Sequence, residues 1–207
     1  MPVPAEILAF VDSCQDECIG LRGEMQNQLL QTLLSDFIEL WESATSKHEE
    51  WKNITFPTIN QDIYQNDYGA SMQVEIYELV GAFGRADGYL SFERLKCAFF
   101  VSQGMFWEVV LEEISETRLA LFQKDMKPWM TAPLKCPGSI LLLTQQDKII
   151  GTTYADRATN LFLRLATLLL NADGPPSNES QRLFVEYNNL LSRNNETTPA
   201  DSEKAAP

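Results

Sequence analysis

The sequence predicts an all-α fold: a helical bundle of two related helix-turn-helix hairpins with a long N-terminal amphipathic helix. Three observations predict it. Apolar residues recur at helical spacing through most of the 207 residues. Turn-forming residues cluster between those stretches, and no segment shows the strict alternation of a half-buried strand.

Residues 1–52 read as the long helix. Ile7, Val11, Cys14, Cys18, Leu21 and Met25 alternate steps of four and three, and the seam resumes after a phase slip as Leu29, Leu33, Phe37, Leu40 and Ala44. Gly20 and Gly23 weaken or bend it. Such a seam serves either a homo-oligomeric coiled coil or the cover of a bundle; the drift in phase favours the cover. Residues 53–70, rich in Asn, Pro, Asp and aromatic residues, read as a connecting loop.

The helical period returns in residues 71–193, read as one helical domain. A first helix carries Val74, Tyr77, Leu79, Val80 and Phe83 up to a turn at 85–88. A second starts near Ser91, with a break expected at Gly104, and a third is expected over 105–125. Residues 127–138, with Pro128, Pro133 and Pro137, read as a connector. Helices follow over 139–150, over 154–171 and from about 177. The polar tail, 194–207, reads as disordered.

Composition excludes several functions. With 16 Lys+Arg against 29 Asp+Glu the net charge is −13, which disfavours nucleic acid and anionic membranes. No apolar run approaches the roughly 18 residues of a membrane span. The start lacks the basic region of a secretory signal, so a cytoplasmic location is expected. The single histidine, His48, stands among charged residues and reads as solvated. Cys14 and Cys18 share a helical face and suit a seam better than a metal; Cys97 and Cys136 complete the set, with no Cys-x-x-Cys. No phosphate-binding loop, dinucleotide fingerprint, nucleophile elbow or metalloprotease helix is present.

One local pattern occurs twice. Ala86-Asp-Gly-Tyr-Leu-Ser-Phe-Glu93 and Ala172-Asp-Gly-Pro-Pro-Ser-Asn-Glu179 both read Ala-Asp-Gly-x-x-Ser-x-Glu. Turn chemistry explains much of it: glycine ends a helix in the left-handed region, serine caps the next helix, and glutamate suits its positive end. It is less demanding about aspartate. Two such turns packed together would gather Asp87, Glu93, Asp173 and Glu179, the oxygen cluster a divalent cation prefers. A calcium-binding EF-hand loop is excluded. Placing Gly88 at its sixth position puts Phe83, Arg85 and Arg94 where ligands belong.

These segments, 79–93 and 162–179, resemble the tellurite-resistance TerB-like helical domain, over roughly residues 71–193. The stretch Lys148-Ile-Ile-Gly-Thr-Thr-Tyr-Ala-Asp-Arg157 is also similar to the helical region preceding some bacterial AAA-type ATPases. The resemblance implies a compact bundle with acidic, metal-binding surfaces that acts through protein contacts in stress or defence systems. An AAA-type ATPase is then one expected partner. Pro175-Pro176 departs from the pattern.

The functional expectation is a non-catalytic acidic interaction module: a regulator, adaptor or scaffold. Its alternatives are a divalent-metal-responsive form of the same module and a carboxylate-based enzyme with Trp41, Trp51, Trp107 and Trp129 lining a cleft. Glu108, Glu112, Glu113 and Glu116 read first as a solvated face and second as an acidic stripe for a partner.

Overall fold

The computed structural model describes residues 24–55 and 68–196. Over these the chain is all-α, with seven helices and no strand. They are α1 (Glu24–Thr55), α2 (Tyr68–Asp87), α3 (Phe92–Gly104), α4 (Glu116–Met130), α5 (Gly138–Ile150), α6 (Tyr154–Asn171) and α7 (Asn178–Glu196).

Helix α1 belongs to the same core as the rest. Leu30, Leu33, Phe37, Leu40 and Ala44 are buried, and α1 packs on α6, α3 and α5. The Phe37 ring meets Phe162 edge to face at 5.5 Å. Arg164 and Arg157 of α6 reach Asp36 and Glu39 at 2.5 and 2.9 Å. This part of the seam is therefore spent inside the bundle and is not left for a coiled coil. The first part, residues 7–23, lies outside the described residues, as do 56–67 and 197–207. The division at residue 52 is also corrected: α1 continues to Thr55 and α2 already begins at Tyr68.

Gly104 lies where α3 ends against the Leu34 side chain of α1. A Cβ there would lie 2.5 Å from Leu34 Cδ2, well inside contact distance. The expected helix over 105–125 is instead two pieces. A short 3-10 turn spans Leu111–Glu113, and α4 starts only after Ser115, whose hydroxyl accepts the Arg118 N–H at 3.3 Å. The apolar spacing misled because Leu111, Ile114, Leu119 and Phe122 all reach the core although only the last two are α-helical. The connector expected from Lys127 is corrected too: Pro128 sits in the last turn of α4, which runs to Met130.

Two caps come from other elements. Pro137 offers no side-chain cap to α5; Glu75 of α2 does, accepting the Ser139 N–H at 2.9 Å and the Ser139 hydroxyl at 2.5 Å. Gly151 closes α5 at φ +71°, and Asp147 turns onto α6. The Asp147 carboxylate accepts the Tyr154 and Ala155 N–H groups at 3.0 and 2.7 Å, together with the Thr152 hydroxyl. Helix α6 is buried around most of its circumference and forms the middle of the fold, as its composition predicts.

His48 is a correction. It is buried, with its ring edge-on to Tyr68 at 5.4 Å and Nδ1 3.3 Å from the Tyr68 hydroxyl. That hydroxyl also donates to Gln146, whose amide donates to the Ala44 carbonyl at 3.4 Å. Lys47 and Glu50, which suggested exposure, are themselves exposed, since a helix turns each successive residue by about 100° and so separates them from the buried face of His48.

Candidate functional site

The two Asp-Gly turns join α2 to α3 and α6 to α7. At the first, Gly88 takes φ +74° and its N–H donates to the Arg85 carbonyl at 3.3 Å. At the second, Gly174 takes φ +103° and donates to Asn171 at 3.2 Å. A Cβ at either glycine meets nothing within 4 Å, so backbone conformation, not space, calls for glycine. The two serines cap alike. Ser91 Oγ accepts the Arg94 N–H at 3.2 Å, and Ser177 Oγ accepts the Ser180 N–H at 3.0 Å.

The corners pack against each other through a buried arginine. Arg94, in the first turn of α3, is only 2% exposed. Its Nη1 lies 2.5 Å from Asp87 Oδ2. Nε donates to the Leu169 carbonyl at 2.9 Å, Nη1 to the Phe83 carbonyl at 3.4 Å and Nη2 to Ser180 Oγ at 3.5 Å. The guanidinium also lies 5.7 Å from the centre of the Phe83 ring. Asp87 Oδ1 accepts the hydroxyls of Ser177 and, at 2.9 Å, Ser180. Asp173 Oδ2 lies 3.4 Å from Arg94 Nε as a charge contact without a hydrogen bond, because the Nε proton is given to Leu169.

Contacts therefore cross in both directions. The first corner's aspartate binds the second corner's cap and first-turn serine; the second corner's aspartate faces the first corner's arginine. Arg94 and Ser180 stand at matching positions, each directly after the motif's glutamate.

This arrangement corrects the four-carboxylate site. Asp87 and Asp173 are brought together, but around a guanidinium. Glu93 and Glu179 stay exposed on the first turns of α3 and α7. The fixed positive charge occupies the position where a cation would bind and would repel one there. Among the described residues, no group of three or more His, Cys, Asp or Glu is placed to hold a metal ion. Burial alone would raise the Asp87 pKa. Hydrogen bonds from Ser177, Arg94 and Ser180, with the charge of Arg94, outweigh it and hold the carboxyl below its ordinary value. Glu75 is the converse: burial dominates over its Ser139 hydrogen bonds and raises its pKa.

The Trp51 side chain lies outside the described ones, and the other three tryptophans stand apart. Trp41 packs on Phe106 at 5.2 Å, Trp129 lies 6.0 Å from Tyr77, and Trp107 stands in solvent. The four glutamates from Glu108 to Glu116 are exposed. Cys97 is buried, which pushes its thiol up to about 12 and leaves it protonated and inert at neutral pH.

Sequence reasoning missed Arg94, Glu75 and the polar set around His48. Arg94 carried a signal, as the one basic residue within three positions of either motif's serine. Glu75 carried none, because its partner is far along the chain.

No protein-family model matches the chain, and neither a curated protein nor a solved structure is similar to it. No described helix is long and apolar enough to cross a membrane.

Proposed function

We propose that this chain is a non-catalytic helical interaction module that works by holding a protein partner. The observation that carries the reading is Trp107, whose indole is 70% exposed on the non-helical connection between α3 and α4, with Val110 exposed near it. Fully burying a large apolar side chain is worth about 1.5–3 kcal/mol, so a partner covering this segment gains stability the isolated chain forgoes. Two further features support it. The corner charges neutralise one another inside the fold, and the Cys97 thiol is inert. The TerB-like resemblance adds a setting, a bacterial stress or defence system in the cytoplasm, and a partner class, an AAA-type ATPase.

Photo-crosslinking in the native cell tests the reading. With benzoylphenylalanine in place of Trp107, a discrete set of protein adducts is expected. The same probe at exposed Asn189 of α7 should give none. Equal or absent crosslinking at the two positions would contradict the reading.

A further inference from the structure

A second surface points to the chemistry of a partner. Between α2, the first corner and α4 lies an open groove of about 880 Å³. Its floor is apolar, with Gly81, Gly84, Leu90 and Ala120. Its rim carries Arg85, Lys124 and Lys127, and none of its lining residues is acidic. On a chain of net charge −13, this groove is a local reversal of sign.

Each cation is held toward the groove by its place in the fold. Lys124 and Lys127 are three apart on α4, which puts their Cβ atoms about 5–6 Å from each other on one face. Asp125, between them in sequence, does not line the groove. Arg85 closes one end: it reaches across from α2 to the Ala132 carbonyl at 2.5 Å, while its position remains exposed. Tyr89 stands at the mouth, 57% exposed.

We propose that this groove docks an acidic peptide segment of a protein partner, with apolar side chains on the floor and carboxylates against Arg85, Lys124 and Lys127. The proposal rests on the interaction reading above and names the partner's chemistry. Charge complementarity favours this occupant: a carboxylate-bearing segment meets a chain of net negative charge and, in this groove, three cations with no acidic residue among the lining. A small-molecule ligand fits less well. Such sites enclose most of the ligand and place buried polar groups around it, whereas this groove is open and its charges sit on the rim. A nucleic-acid strand would meet the negative field of the remaining molecule.

Selection from a random peptide library displayed on phage, using the full chain as bait, tests the proposal. Enriched peptides should combine Asp or Glu with apolar residues and weaken steeply with salt. K124E/K127E should reduce their affinity by about tenfold or more. Ala120→Trp, at an exposed helix position that fills the floor, should reduce it without changing charge. Thermal melts of both variants should match the parent. Peptides that bind both variants unchanged, or that lack acidic residues, would overturn the groove while leaving the interaction reading standing. Peptides that lose binding in Trp107→Ala and not in K124E/K127E would place the site on the connector and overturn the groove. Failure to enrich any peptide would contradict the groove, and paired with absent crosslinking at position 107 would contradict the interaction reading as well.

Discussion

At the residue scale the molecule turns on Arg94 and Asp87. A buried ion pair is costly to form and costlier to break: removing one partner typically costs about 3–5 kcal/mol, because the other charge is left without compensation. Arg94→Met should therefore destabilise strongly in urea denaturation, and adding Asp87→Asn should restore part of the loss, since the residual buried charge is then gone. Additive losses would show that the two side chains do not depend on each other. The same pair sets an acid limb. The Asp87 carboxyl is held below its ordinary value of 3.8, so its contribution is present above that value and is lost as pH falls through its lower folded value. Asp87→Asn should flatten the stability profile in that acid range only. Glu75 has the opposite sign. Its pKa is raised above 4.5, so its contribution is full below that value and declines as pH rises through the folded one. Glu75→Gln should remove that decline, read from melts across pH 4 to 7.

At the element scale, caps and close approaches decide where helices begin and end. Glu75→Ala leaves the α5 N-terminus without its acceptor, and a lost cap costs about 0.5–2 kcal/mol. Gly104→Ala makes the half-buried Leu34 side chain turn aside and should cost about 1 kcal/mol or less, measured as a slightly lower denaturation midpoint with unchanged slope. These features also explain how much of the fold was legible. The end of α5 and the start of α6 follow from Gly151 and from Asp147 beside it in the chain, so sequence patterning places them closely. The break at 105–115 was not legible, because buried residues of an irregular segment fall at nearly helical spacing. The cap on α5 was not either, because its acceptor lies 64 residues earlier. For the site, the turn chemistry of glycine and serine was readable at each corner. The pairing was not, because Arg94 meets Asp173 and Ser180 only once four helices have packed.

At the scale of the whole molecule, the bundle is one cooperative unit that includes α1. A chain lacking residues 1–52 would expose the faces of α6, α3 and α5 that cover Leu33, Phe37 and Leu40. It should lose cooperative melting and bind a hydrophobic dye; a sharp, dye-free transition would show that α1 is dispensable. The interlocked corners join the α2–α3 and α6–α7 pairs, and they do so with the protein's own guanidinium. The most direct test is differential scanning calorimetry of the parent and Arg94→Met, each with and without Mg²⁺, Ca²⁺ and Mn²⁺. The melting temperature should fall by roughly 6–20 °C in the variant, as a loss of about 3–5 kcal/mol implies for a chain of this size, and no divalent ion should raise it in either protein. An Arg94→Met chain that melts like the parent, or a parent stabilised by a divalent ion and not by ionic strength alone, would contradict the account.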